Sequence, residues 1–164
     1  MHSSNEYLEL AQARLNTASH ILAVTYPTLH SPKLFLSVTE HLFLAMDYAM
    51  NAILLDQRSQ EKIPPFNASF SSRYSNFRLK CAPALGFSKQ HTEALQRCRN
   101  ILLEHNQSPT VFERNSCLVI CSVDYKMTIL SEQSTSEILS YAKEFLAIAK
   151  KALEQSLSRE QLSY

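Results

Sequence analysis

A single glycine, Gly86, in 164 residues is the feature that most restricts this chain. Phosphate-cradling loops of the P-loop and dinucleotide-binding kinds need several residues without a Cβ close to the phosphates, so neither can be built here. Two-residue hairpin turns favour glycine at positive φ, so tight hairpins are not expected either. With Leu, Ala and Ser abundant, what remains is a mostly helical chain. Its 45% apolar and 19% charged residues are the composition of a folding sequence. A length of 164 residues is one domain's worth, so residues 1–164 are read as a single unit with a polar, frayed end from about 158.

The formal charge is +1, from 16 Lys and Arg against 15 Asp and Glu. Broad electrostatic binders of nucleic acid carry a clear basic excess, so any such contact here must be local. No apolar run approaches the ~18 residues of a membrane span. Residues Met1 to Glu9 lack the basic-then-apolar pattern of a signal peptide. A cytoplasmic protein without a membrane partner is expected. Its four cysteines (Cys81, Cys98, Cys117, Cys121) then read as reduced, small hydrophobic side chains. In a strand Cys117 and Cys121 lie about 13 Å apart, too far to share an ion held at ~2.3 Å. Neither a metal nor a cofactor is expected.

Hydrophobic spacing sets the elements. Leu8, Ala11, Leu15, Ala18 and Leu22 form one stripe of a helix over about Asn5 to Val24, opened by a Ser3/Glu6 capping box and closed by Pro27. Ser31-Pro32 starts a second helix reaching about Arg58, with Val38, Leu42, Ala45, Ala49 and Ala52 on one face. Phe35, Leu44 and Leu54 widen that face, so this helix is either central or turned toward a second subunit. Ile63-Pro64-Pro65-Phe66 is a rigid connector. A shorter helix carrying Phe66, Phe70, Tyr74 and Phe77 follows, and Pro83 to Phe87 breaks the chain. The next helix runs from Ser88 to about His105 and buries Ala94, Leu95, Cys98, Ile101 and Leu102. The β-branched run Cys117 to Ser122 and the segment Met127 to Leu130 read as a two-stranded ribbon, marginal unless packed on helices. Ser134 and Glu137 then cap a last helix with Ile138, Tyr141, Phe145, Ile148 and Ala152 inward. The sum is all-α in the main: an antiparallel four-helix bundle with an extra short helix and a small β-ribbon before the last helix.

One segment carries chemistry: Arg97-Cys98-Arg99-Asn100-Ile101-Leu102-Leu103-Glu104-His105. Cleavage of RNA by its own 2′-OH needs a base of near-neutral pKa, which His105 supplies. It also needs a cation against charge developing on the phosphate, which Arg99 supplies with forked donors. Asn100 is placed to orient either one. On a regular helix Arg99 and His105 stand about 120° out of line, so they converge only if the helix ends or bends near His105, or across a dimer. The Ser108-Pro109 stop favours an early end. Arg97, together with Arg73 and Arg78 beside Tyr74, would supply local RNA contacts. Each residue also has an ordinary reading. Arg99 is a solvated helix charge, His105 a residue favoured by the helix C-terminal dipole, and the neighbouring aromatics are core. Arg14 and His20 repeat the spacing by chance.

Here the chain resembles the HEPN superfamily of small helical bundles, many of them metal-independent RNases. Their signature is Arg, often followed by Asn, Asp or His, with His a few residues on, late in the bundle. Arg99, Asn100 and His105 match it in type, spacing and order. Gln107 stands where the compact toxins of that superfamily carry Tyr. The resemblance implies a homodimer with both motifs in one cleft and RNA as substrate. Ile63-Pro64-Pro65-Phe66 and Ser108 to Arg114 also look like small archaeal helical-bundle proteins of unknown function with that shape. A second reading stands beside it: a non-enzymatic helical module for protein contacts, suggested by the near-zero charge and the surplus apolar surface around Phe35 and Leu44. Glu40 and Asp47 lack the Glu-x-x-His repeats of a di-iron bundle. Serine catalysis lacks a strained nucleophile turn.

Overall fold

A computed structural model describes residues 2–108 and 110–163. It is mostly helical, with a small antiparallel sheet just ahead of the last helix. Helix α1 (Ser4–His20) opens on the expected capping box. The Ser3 amide donates to Glu6 Oε2 at 2.7 Å, and the Glu6 amide to Ser3 Oγ at 3.2 Å. The Ser3 amide holds the Glu6 carboxyl below its ordinary range.

Pro27 does not end this helix, contrary to the sequence reading. A π-helical turn over Ile21–Thr25 leads directly into α2 (Tyr26–Leu29), and His30, left-handed at φ 52°, stops it. The wider turn opens the backbone ahead of the proline, so the ring and the missing N–H are accommodated without a break. The same device recurs where α4 (Phe70–Asn76) passes through a π-turn over Phe77–Cys81 into α5 (Ala82–Leu85). Pro83 lies inside α5, and the stop is Gly86 at φ 90°. A Cβ on Gly86 would meet nothing within 4 Å, so glycine is needed there for its backbone conformation and not for space.

Helix α3 (Leu34–Ser59) is central. It packs against α1, α6 (Lys89–Gln107) and α7 (Glu132–Leu162). Its five stripe residues are fully buried. Phe35 is buried as well, its ring centroid 4.7 Å from that of Tyr26, and Leu44 is half-buried. Of the residues that widen its apolar face, Phe35 and Leu54 therefore fill the core and Leu44 does not. Helix α7 starts three residues earlier than Ser134 implies: Ser131 is the cap and Ser134 its partner. The preceding strand ends at Leu130 and leaves Ser131 in the extended conformation a cap requires. The helix continues to Leu162, past the expected fraying point near 158.

The ribbon has three strands and not two: β1 (Thr110–Arg114), β2 (Cys117–Cys121) and β3 (Met127–Leu130), paired antiparallel in that order. Asn115-Ser116 joins β1 to β2 as a two-residue turn, with φ of 51° and 62°. This is the tight hairpin that scarce glycine argued against. Asn enters the left-handed region at modest cost, which makes the turn available without glycine. The register aligns Phe112 with Val119 and Ile129 on one face. On the other, Leu118, Ile120 and Leu130 join the helical core. Thr128 Oγ1 donates to the Glu104 carboxylate of α6, pinning the sheet to that helix.

Candidate functional site

Helix α6 positions the Arg–Asn–His motif and runs unbroken to Gln107, two residues beyond His105. The early end that would swing His105 toward Arg99 is therefore not used within one chain. Six residues of regular helix leave the two side chains about 120° and 9 Å of rise apart. The end of α6 is held by Ser108 Oγ, which donates to the Glu104 carbonyl. Asn100 turns back along the helix, where its Oδ1 accepts from Gln96 Nε2 at 2.9 Å. Ring nitrogens of His105 find no hydrogen-bond partner among the described residues, and the side chain is half-buried.

Arg99 lies over the face of Phe70, its guanidinium carbon 4.2 Å from the ring centroid. This is a close cation–π contact, worth on the order of 1 kcal/mol for a half-buried side chain. Phe70 also lies 5.7 Å from the Arg73 guanidinium carbon and stacks on Tyr74 at 5.5 Å, and Arg78 stands 5.9 Å from Tyr74. Three of the predicted residues, Arg99, Arg73 and Arg78, thus meet around one aromatic pair. Of the aromatics beside Arg73 and Arg78 that the sequence reading assigns to the core, Phe77 is fully buried and Tyr74 is half-buried. Arg73 is occupied: one Nη1 serves Asp47 and Asn51 at 2.7 Å each, and its Nε donates to the Ala68 carbonyl. Arg97 faces elsewhere, lining a shallow cleft with Glu93, Glu137 and Tyr141 between α6 and α7. Arg99, Arg78 and Arg97 form no ion pair among the described residues.

Two histidine arrangements lay beyond sequence reasoning, because each has one partner remote in the chain: Arg14 for His41 and Glu144 for His91. Arg14 Nη1 sits 3.3 Å from His41 Nδ1 across α1 and α3. Burial, and then Arg14, push the His41 pKa down. In the neutral ring Arg14 donates to Nδ1, which puts the proton on Nε2 and leaves no outward lone pair for a base. His91 occupies the third position of α6 and closes its capping box, with Nδ1 accepting from the Ser88 amide at 3.0 Å. Its Nε2 then donates to Glu144 Oε2 of α7 at 2.7 Å. Ser88, His91 and Glu144 line up as hydroxyl, imidazole and carboxylate. Ser88 Oγ lies 2.9 Å from His91 Nδ1, but that nitrogen also accepts from the Ser88 amide and Ser88 Oγ accepts from the His91 amide at 3.4 Å, so both groups serve the helix cap.

Among the described residues no group of three or more His, Cys, Asp and Glu side chains converges as a metal site, and no helix is long and apolar enough to cross a membrane. All four cysteines are free. Burial pushes the Cys81 thiol up to about 11 and that of Cys98 up to about 12, which leaves both unreactive at neutral pH. Cys117 and Cys121, on the sheet, are partly exposed.

The most distinctive surface lies away from the motif. Large apolar side chains stand in water along the sheet: Phe112 is 38% exposed, Ile129 55% and Met127 57%. Val123 and Tyr125 add an open tip between β2 and β3. Phe112, Cys117, Val119, Met127 and Ile129 line one shallow concavity, with Arg114 at its corner. Sequence alternation alone could have placed these residues on one face, but only with β1 recognised as a strand. Compared with known protein families and with curated proteins, the chain matches none of them.

Proposed function

We propose that this chain is a non-enzymatic interaction module, a HEPN-like antiparallel four-helix bundle that contacts protein through its sheet. The observation that carries this reading is the concentration of exposed Phe112, Met127 and Ile129 on one sheet face, while Phe35 and Leu54 of α3 are buried and Leu44 is half-buried. Contiguous exposed apolar patches of several hundred Å² mark partner surfaces. The motif is arranged for packing: Arg99 covers Phe70, Asn100 bonds within its helix, and Glu104 holds the sheet.

A second reading is favoured by the absence of an ion-pair partner for Arg99 among the described residues. In it the protein is a cytoplasmic, metal-independent RNase in which Arg99 and Asn100 of one copy meet His105 of another, with Arg73, Arg78 and Arg97 as RNA contacts. One experiment separates the two. Purified protein is incubated with varied RNAs in EDTA beside Arg99→Ala, His105→Ala and Ile129→Lys. The interaction module gives no cleavage in any of them. Cleavage that survives in Ile129→Lys and is lost in folded Arg99→Ala and His105→Ala overturns it in favour of the nuclease.

A further inference from the structure

β1 is exposed along its whole length, on both faces and at its free edge, and β2 alone holds it in place. β1 is thus an exposed edge strand on a sheet whose other two strands reach the core, and this corner of the molecule gains most from being covered. By the strand register, the outer face carries one charge, Arg114, at its corner opposite Cys117. Its centre offers aliphatic, aromatic and thiol groups and no buried polar atom lacking a partner.

We propose that a second copy of this chain covers the outer face of the sheet, with Phe112, Met127 and Ile129 of each copy packed on the same residues of the other. This rests on the interaction-module reading and names its partner. Charge supports a self-match. A two-fold axis through the middle of the face keeps the two Arg114 side chains at opposite corners, and no anion is required from the partner. A two-fold contact must be self-complementary, and a nearly uncharged apolar face meets that condition. Area supports it too. Phe112, Met127 and Ile129 with the neighbouring loop tip at Val123 and Tyr125 leave on the order of 600 Å² in water, or about 1,200 Å² for two copies, which is the lower end for a specific interface and fits a dimer that depends on concentration. Two sheets so packed form a sandwich about 10 Å deep.

The test is the mass of the full chain by sedimentation and light scattering across the micromolar range. Wild type is expected at twice the chain mass of 18.7 kDa. The double variant Met127→Lys with Ile129→Lys is expected at the single mass with unchanged helicity. Leu79→Lys, which adds a charge at an exposed apolar site elsewhere, is expected to stay dimeric. Thiol labelling of the wild type gives an answer even where the double variant does not fold: Cys117 and Cys121 should label at least about tenfold more slowly at dimeric than at monomeric concentrations. A dimer that survives the double variant, or one with unprotected Cys117, overturns the proposal. So does a monomer at every concentration. A monomer in which Cys117 and Cys121 label rapidly overturns the second copy alone, because the face is then open to another partner. A monomer in which they resist labelling overturns the interaction-module reading as well.

Discussion

Phe145 and Ile129 are both large apolar residues, and each lies on one face of its element. Phe145 is fully buried, with its ring 4.7 Å from Phe87 and 5.5 Å from Phe77. Ile129 lies on a strand whose other face is already spent on the core, and more than half of it stands in water. In the helical body every apolar stripe finds another stripe, with α3 at the centre. In the sheet, β2 and β3 reach the helical core from one face, while Phe112, Met127 and Ile129 on the other face stand in water. The same residue chemistry therefore means stability in one region and association in the other, and only the number of available layers distinguishes them.

Substitutions can break or sharpen this contrast, and the largest effect belongs to the body. Phe145→Ala should cost about 3–5 kcal/mol in urea unfolding, through lost burial and a cavity lined by Phe77 and Phe87. Next comes Arg73→Ala, expected to cost about 2 kcal/mol, since it strands the largely buried Asp47 carboxylate and Asn51. Arg97→Ala, on an open cleft, should change stability by less than about 0.5 kcal/mol, which separates a structural cation from a surface one. Gly86→Ala should cost about 1 kcal/mol by forcing a side chain to φ 90° in open space. A smaller effect is expected from pH. His41 has its pKa lowered in the fold, so the unfolded chain takes up its proton first. Stability should be constant above the unfolded value of about 6.5 and fall as pH drops below it, and His41→Asn should flatten that decline in thermal melts. Smallest is Ile129→Lys, which should change the stability of dilute protein by less than about 0.5 kcal/mol, where association does not contribute. A cost near that of Phe145→Ala would show that the outer face is core and remove the contrast.

What could be read in advance was local. The Ser3/Glu6 box, the stripe of α3 and the β-branched run of β2 depend on residues within a few positions of one another, and all three are present. Near-local competition defeated other expectations. Ser131/Ser134 and Ser134/Glu137 have equal spacing, and the end of β3 decides between them. Pro27 signals a helix end unless the preceding turn widens, which nothing in Ile21 to Thr25 announces. β1 escaped notice because Glu113 and Arg114 make it look like loop, while its pairing comes from β2. Within the candidate site, the angular separation of Arg99 and His105 is plain helix arithmetic. The side chains that pair with Arg14 and Arg73, and the Glu144 carboxylate that pairs with His91, lie 22 to 53 positions away in the chain, where no spacing rule reaches.

The two π-turns bear on how this sequence can vary in length. Each holds one residue more than a regular helix needs over the same span, and each absorbs it while keeping apolar residues in or beside it buried, Leu22 and Tyr26 at one, Phe77 and Cys81 at the other. Sequences descended from the same ancestor are expected to gain or lose a single residue at 21–25 and at 77–81 more readily than anywhere else in these helices. Where the extra residue is gone, the proline that follows it should be gone too, because an unwidened helix has no room for its ring.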